Sequence, residues 1–218
     1  MKDDKRAVFL LKKQYRKQKK KIISRITEFR RLGKDGSDTR LFEELCFCLL
    51  TPQAKAKLCW DTVGILKKRK LLLKGAPSEV SPYLTRVRFK NNKAKNIVSA
   101  RGLFTRGGRC RTRCFVDCFR NPPGLRAWLV DNVRGMGMKE ASHFLRNIGM
   151  GDSIAILDRH ILKNLARYGV IGSIPKSLTH KTYLEIERRM LEFASKTGIP
   201  ASHLDLLFWS METGEVFK

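Results

Sequence analysis

The sequence predicts an all-α protein, and three observations carry that prediction. Apolar residues recur every three or four positions through most of the chain, which is the period of a helix with one buried face. Glycine and proline fall between these stretches, where they end one helix or begin the next. The only stretch apolar enough for a strand, residues 153–157, is short and isolated.

The first half of the chain predicts a long basic helix that ends near Gly33. Asp38 is expected to cap the second helix, and Pro52 to end it and start the third. A short helix opens at Ser78, and a longer one follows a loop and stops at Gly107. The predicted inner faces are Tyr15, Ile22, Ile26 and Phe29 in the first helix, Leu41, Phe42, Leu45, Cys48 and Leu49 in the second, and Ala54, Leu58, Thr62 and Ile65 in the third.

The second half predicts two short helices, a glycine-containing turn and then four more helices. Asp158 heads one of these four helices. Thr179 is expected to cap a long helix that ends at Gly198. The inner stripe of the last helix is Leu204, Leu207, Phe208 and Met211.

The charge of the chain points to a polyanionic partner. Lys and Arg number 46 against 20 Asp and Glu, a net charge of +26. Such an excess repels itself in a folded protein, and nucleic acid is the usual polyanion that relieves it. The sequence has no run of 18 apolar residues that would favour a membrane, and the charged N-terminus does not resemble a signal peptide. We therefore expect a cytoplasmic protein. An apolar content of 42% excludes a disordered basic tail.

Cysteine and histidine give no strong indication of a metal. Cys110, Cys114 and Cys118 are spaced four apart, which on a helix places three thiols along one face. A metal site is one interpretation, and small residues on a buried stripe is the one we favour. His143 and His160 have no partner at metal-ligand spacing, so we assign no metal and no cofactor.

The segment from Arg134 to Lys139 has the form of a helix-hairpin-helix turn. Gly135 and Gly137 allow a tight turn between two helices, and the second helix then offers its free N–H groups and positive dipole end to a phosphate. The alternative is an ordinary turn between helices with glycine caps. The net charge and the lysine directly after the glycines favour DNA binding.

These residues resemble a known superfamily. The segment 133–141 resembles the Leu-Pro-Gly-Val-Gly-x-Lys-Thr-Ala hairpin of the endonuclease III superfamily of base-excision glycosylases. Asp158, nineteen residues after Lys139, lies in a segment that resembles the one carrying the catalytic aspartate of that superfamily. Arg134 departs from the pattern, where many members have proline. The resemblance implies two helical subdomains flanking a cleft, which we place at residues 36–150 and at 1–35 with 151–218.

The resemblance can be narrowed within the superfamily. The last hundred residues contain no cysteine, which disfavours members that hold an iron–sulfur cluster near the C-terminus. The segments 50–54 and 92–95 and the final Lys218 resemble the small archaeal-type 8-oxoguanine DNA glycosylase/lyases. The likeness runs from about residue 38 to the end. It implies a double-stranded DNA partner that contains an oxidised base, and we expect a monomer.

The resemblance also implies the chemistry. Lys139 would attack the sugar C1′ and form a Schiff base, and β-elimination would then release the 3′ phosphate. Asp158 would stabilise the oxocarbenium-like transition state. Without Asp158 at its spacing, a phosphate-binding lysine would be the better interpretation of Lys139. Asp158 can also be a helix N-cap, and both of its roles can hold at once. A different glycosylase of the same fold and a non-enzymatic DNA-binding protein are the competing hypotheses.

Four residues are predicted to handle the target base after it leaves the stack. Gln53 resembles the residue that fills the gap, although a surface role is an equal alternative. Trp209 lies off the core stripe of the last helix and is expected to stack on the base, and Phe89 to cover its other face unless it belongs to the core. Lys218 is expected to close over the base, where a carboxylate would accept the N7–H that 8-oxoguanine has and guanine lacks.

Overall fold

The computed structural model describes the backbone of residues 2–218 and the side chains from Arg6 onward. It confirms the all-α prediction. The helices are α1 (Lys2–Asp35), α2 (Asp38–Leu50), α3 (Ala56–Lys68), α4 (Leu71–Lys74), α5 (Pro77–Val80), α6 (Lys90–Leu103), α7 (Thr112–Asp117), α8 (Pro122–Asn132), α9 (Met138–Asn147), α10 (Arg159–Arg167), α11 (His180–Thr197) and α12 (Ala201–Thr213), with a 3₁₀ turn at Ser81–Leu84. None of these described helices combines the length and hydrophobicity needed to cross a bilayer.

Two helix starts differ from the prediction. Ser37 caps α2, accepting from the Arg40 amide at 3.3 Å, and Asp38 instead accepts from the Arg113 amide at 2.7 Å. The third helix begins only at Ala56, because Gln53 has a φ of +53° that no helix accommodates.

The buried face of α3 also differs from the prediction. The buried residues of α3 are Cys59, Thr62, Val63 and Leu66, and Ile65, predicted to be buried, is 43% exposed. Thr62 is the one predicted inner residue of the four that is fully buried.

A small hairpin forms where the sequence predicted only a break. Strands β1 (Thr105–Arg106) and β2 (Arg109–Cys110) pair antiparallel around Gly107 and Gly108. Both glycines have positive φ, +57° and +71°, which is the backbone that a two-residue hairpin turn requires.

The predicted cysteine stripe does not exist. Cys110 lies in β2, and Cys118 follows the end of α7, so the three thiols do not share one helix face. Cys114 and Cys118 are exposed, and the interpretation of a buried stripe is therefore wrong. Within the described side chains, no three or more His, Cys, Asp or Glu residues are grouped as metal ligands.

The hydrophobic interior consists of two clusters. The first cluster runs from Leu41 to Ile154 and is built from α2 to α9. The second joins α1 to α10, α11 and α12, from Leu11 to Phe208. Whether the division at residues 36 and 150 separates true subdomains stays a prediction.

Buried polar contacts connect the two clusters. Arg126 of α8 pairs with both carboxylate oxygens of Glu187 of α11, at 2.5 and 2.8 Å. Glu187 also accepts from the amide of Ala155 at 2.7 Å. Arg146 of α9 pairs with Asp205 of α12 at 3.1 Å. The helices that carry the candidate site are thus held together by charges inside the protein.

Candidate active site

The predicted hairpin joins α8 to α9. Gly135 has a φ of +82°, and a Cβ there would lie 2.1 Å from the side-chain nitrogen of Asn96, so this position requires glycine. Gly137 has a φ of −96° and is the N-cap of α9, where the Glu140 side chain accepts from its amide at 3.3 Å. Of the two glycines in the hairpin, only Gly135 therefore adopts the positive φ that we expected. Arg134 is exposed at the tip of the turn.

Lys139 is the second residue of α9 and is partly buried, with 26% of its side chain exposed. Its ammonium donates to the Glu140 carboxylate at 3.1 Å. The charge of Lys139 contributes to lowering the pKa of Lys93, and burial is the largest cause of that shift. Lys139 thus lies near the first cluster, at the helix end where free amides accumulate.

Asp158 caps α10, as predicted from its position. Its Oδ1 accepts from the amides of His160 and Ile161, at 2.8 and 2.9 Å. Both bonds use one oxygen, so the second remains for a ligand. Burial raises the pKa of Asp205 to about 6, and the charge of Asp158 adds to this shift while Arg146 opposes it. Asp158 therefore lies near the helix that also carries Trp209.

One hydroxyl links the elements that carry Lys139 and Asp158. The Tyr183 hydroxyl donates to the Ala155 carbonyl at 2.7 Å, accepts from the Leu157 amide at 3.2 Å and lies 3.3 Å from Ser142 Oγ. Ser142 is in α9, one turn after Lys139, and Leu157 directly precedes Asp158. The two candidate residues are therefore on segments that share Tyr183 as a common support.

Lys218 is buried, and its side chain enters the first cluster. Its ammonium pairs with the fully buried Glu44 and lies 3.4 Å from the centre of the Trp60 ring. Burial lowers the pKa of Lys218, and the Glu44 carboxylate opposes this. The neighbouring Phe217 packs 6.3 Å, centre to centre, from the half-buried ring of Trp209. The structure thus brings Lys218 and Trp209 to the same region.

His143 is buried close to the charged side chains of Lys139 and Lys218. Burial, together with Arg146, Lys139 and Lys218, lowers the pKa of His143 well below its usual value, so the ring is neutral. The ring makes an edge contact with Phe47, 5.3 Å between centres. Among the described residues, neither ring nitrogen bonds to another side chain, and a backbone hydrogen bond with Lys218 opposes the lowering of the pKa.

Gln53 and Phe89 lie at two neighbouring loops. Both are exposed, and both have positive φ, +53° and +60°, which is unusual for residues other than glycine. Lys93, in the first turn of α6 after Phe89, donates to the carbonyls of Leu50 and Pro52 at 2.7 and 2.6 Å. Lys93 thereby fixes the turn that displays Gln53. At 52% exposed, Phe89 is not a core residue.

Sequence reasoning missed four features of this region: the bonds of Lys93, the pairing of Glu44, the nearness of His143 to the charges of Lys139 and Lys218, and the hydrogen bonds of Tyr183. Lys93 lies within the segment 92–95 that carried the family resemblance, and this was its only signal. Tyr183 lies on a helix face that periodicity marks as buried, where a polar residue indicates a bonded network. Glu44 lies outside the predicted inner face of α2, which is buried on nearly all sides, so it gave no such signal.

A basic all-α protein with a helix-hairpin-helix turn, a partly buried lysine after it and a capping aspartate on the next helix belongs to the class of DNA glycosylases of this fold. The chain belongs to the 8-oxoguanine DNA glycosylase family, whose model matches residues 22–199. This confirms the resemblance.

Similar proteins come from bacteria and archaea. The 8-oxoguanine DNA glycosylase/AP lyase of Fusobacterium nucleatum is 42% identical over 208 residues, covering 95% of this chain and 96% of that protein. The protein of the same name from Korarchaeum cryptofilum is 40% identical over 203 residues, with 90% of each chain covered.

Solved structures share the fold over nearly the whole chain. The 8-oxoguanine glycosylase/lyase of Methanocaldococcus jannaschii, in complex with a 15mer DNA containing 8-oxoguanine, has a TM-score of 0.85 at 35% identity, covering 96% of this chain and 100% of that one. The 8-oxoguanine DNA glycosylase of Thermotoga maritima has a TM-score of 0.83 at 32% identity, with 99% and 100% covered.

Proposed function

We propose that this protein removes 8-oxoguanine from double-stranded DNA and then cleaves the strand at the resulting abasic site. The observation that carries the proposal is Lys139, partly buried at the start of α9 directly after the hairpin. Relatives that match nearly the full chain are named 8-oxoguanine DNA glycosylase/AP lyase, and one similar structure holds DNA with that lesion. No step of the chemistry needs a second subunit, so we propose a monomer.

The reaction begins when the ammonium of Lys139 releases a proton to solvent and becomes an amine. Its lone pair forms a bond to C1′ of the sugar while the glycosidic bond breaks. The base leaves with the electrons of the glycosidic bond and takes up a proton. Asp158 stabilises the positive charge that develops on the sugar, because Oδ1 is fixed by two amides and Oδ2 is available.

The second step is the lyase reaction. The sugar ring opens as the C1′ adduct becomes an imine, with water neither consumed nor released at this stage. The imine acidifies C2′, a proton leaves from that carbon, and the 3′ phosphate departs with the bonding electrons of the C3′–O bond. Hydrolysis of the imine finally returns Lys139 to its starting form.

The remaining predicted residues have roles around the extruded base. Gln53 fills the gap in the stack, since it is exposed at the tip of a turn that Lys93 fixes. Trp209 stacks on the base and Phe89 covers the other face. Lys218 takes part in base recognition, supported by the packing of its neighbour Phe217 toward Trp209.

The hairpin holds the DNA backbone in this proposal. The exposed tip at Arg134 and Gly135 and the first amides of α9 after Gly137 contact phosphates, without reading the sequence.

Borohydride trapping tests the proposal. The protein is incubated with duplexes that contain 8-oxoguanine, an oxidised pyrimidine or no lesion, and the imine is reduced to a stable adduct. We expect an adduct only with the 8-oxoguanine duplex, and none from Lys139→Gln, which still binds the duplex. The matched control Lys181→Gln removes an exposed lysine at the start of α11 and traps like the wild type. Trapping by Lys139→Gln would eliminate Lys139 as the nucleophile.

A further inference from the structure

The first helix has two faces of opposite character. Its inner face buries Leu11, Ile22, Ile26 and Phe29 in the second hydrophobic cluster. At about 100° per residue, six exposed basic residues fall within roughly 100° of arc on the opposite side. We call this surface the α1 basic face; it consists of Lys13, Arg16, Lys17, Lys20, Arg31 and Lys34.

Within the described part of α1, a single carboxylate, that of the exposed Asp35, falls on the arc of the α1 basic face. The ion pairs of α1 are Arg25 with Glu28 and Arg30 with Asp152, and neither arginine belongs to the face. Among the described side chains, none of the six residues pairs with a carboxylate. Six cations against one carboxylate along one side of a helix repel each other, and a polyanion removes that cost.

The α1 basic face lies away from the candidate active site. Gly33 packs so closely on Ile148 that an added Cβ would lie 1.9 Å from the carbonyl oxygen of Ile148. Lys139 is nine residues earlier in the same helical run, roughly 13 Å along the axis at 1.5 Å per residue. The α1 helix therefore packs on the end of α9 opposite to the one that carries Lys139.

The contact with α12 gives the same orientation. The Tyr15 hydroxyl bonds to His203 at 2.7 Å, near the start of α12. Trp209 is six residues further on, about 9 Å along that helix. The inner face of α1 thus covers the far ends of both helices, and its basic face points to the side opposite a DNA duplex bound at the hairpin.

We propose that the α1 basic face binds the phosphate backbone of a second segment of double-stranded DNA. From residue 13 to residue 34 the helix extends about 32 Å, close to the ~34 Å of one duplex turn. A membrane fits less well, because an interfacial helix inserts a continuous apolar face. That face of α1 is buried in the protein, and the exposed apolar residues Phe9, Leu10 and Ile23 are spread around the helix. Two DNA contacts on opposite sides let the protein pass from one duplex segment to another without full release.

The test measures how many duplexes one protein binds. Sedimentation velocity with an undamaged 16-base-pair duplex, at low salt and in excess, gives the stoichiometry for the wild type and for the variant K13Q/K17Q/K20Q. The control variant K68Q/K70Q/K74Q loses the same three charges from an exposed region after α3. All six lysines are exposed, and at the five helical positions glutamine nearly keeps the helix propensity of lysine, so we expect both variants to fold.

We expect the α1 variant to bind one duplex fewer than the wild type, and the control to bind as many as the wild type. Any residual binding of a second duplex by the α1 variant should depend less steeply on salt than in the wild type, with a slope of log K against log salt smaller by about three, near 0.9 for each lost phosphate contact. Equal stoichiometry and slope in the two variants would overturn the proposal. Binding to phosphatidylserine vesicles that needs the three lysines, with duplex binding unchanged, would also overturn it.

The proposal is independent of the base-excision chemistry. Loss of one bound duplex by K13Q/K17Q/K20Q supports it whether or not the protein traps on 8-oxoguanine. Single-turnover excision on a saturating short lesion duplex should be unchanged in this variant, because the α1 basic face does not reach the site. A tenfold loss of that rate would place the face at the active site and contradict the proposal.

Discussion

The side-chain hydroxyl of Tyr183 lies 3.2 Å from the amide nitrogen of Leu157 and accepts its hydrogen bond. Leu157 is the residue before Asp158, so a side chain of α11 helps to fix the position of the capping aspartate. Burial raises the pKa of Tyr183 well above its ordinary value, and the phenol therefore stays protonated at every pH at which the protein is assayed. The Tyr183 hydroxyl, which both donates and accepts, therefore positions the segment before Asp158 without contacting the DNA.

Tyr183→Phe should lower both stability and excision. The variant leaves the buried amide of Leu157 without its acceptor, which costs about 1–3 kcal/mol of unfolding free energy. A displaced Asp158 should slow single-turnover excision by up to about a hundredfold, with DNA affinity unchanged. The control Tyr15→Phe removes a hydroxyl bonded to His203, far from the hairpin, and should keep the wild-type rate. Equal rates in both variants would show that Tyr183 has no positioning role.

Asp158→Asn should separate helix capping from catalysis. Asparagine caps helices about as well as aspartate, so α10 should keep its start and the melting temperature should hardly change. Without the carboxylate charge, single-turnover excision of 8-oxoguanine should fall on the order of 10²–10³-fold. Asp158→Ala should show the same loss of rate and an additional loss of about 1 kcal/mol in stability. Wild-type excision by the asparagine variant would mean that Asp158 is only a cap.

The buried pair of Lys218 and Glu44 should show strong coupling in a double-mutant cycle. Removing one charge leaves the other in the interior, so Lys218→Met and Glu44→Gln should each cost about 3–5 kcal/mol in urea unfolding. The double variant removes both charges and should cost clearly less than the sum. Additive costs would indicate that the two charges do not stabilise each other.

The pH dependence of stability should report on His143. Its pKa in the folded protein is well below the value of about 6.5 expected in the unfolded chain. Below pH ~6.5 the unfolded state therefore binds more protons, and the contribution of His143 to stability is lost as pH falls. His143→Gln should have a flatter profile of unfolding free energy between pH 7.5 and 5 than the wild type.

Two comparisons isolate that effect. The exposed His180, changed to Gln, should leave the profile of the wild type unchanged. Asp205, with a pKa raised to about 6, contributes with the opposite sign, because its folded form holds a proton more readily. It is present in every variant, so it cancels in the difference. Parallel profiles for the wild type and His143→Gln would contradict the assignment.

The features that the sequence predicts correctly are local ones. The hairpin follows from Gly135 and its neighbours, because a backbone with positive φ is encoded by the residue that adopts it. The cap at Asp158 follows from the side chain that provides it and the amides two and three residues later. Helical periodicity in turn yields most of the two hydrophobic clusters.

The features that the sequence does not reveal depend on distant contacts. Lys218 meets Glu44 across 174 positions of the chain, and Lys93 reaches carbonyls more than forty positions earlier. No spacing rule connects such pairs. The misplaced start of α3 has a different cause, since Pro52 is a good first helical residue and only the backbone of Gln53 shows that the helix begins later.

The buried pair between Arg126 and Glu187 affects how the molecule melts. If α8 separated from α11 while the rest stayed folded, Arg126 and Glu187 would each remain as an unpaired charge in an apolar interior. Both unpaired charges therefore raise the free energy of a partly opened intermediate. Heating should disassemble both hydrophobic clusters at once, in a single calorimetric peak, although the chain crosses between them three times.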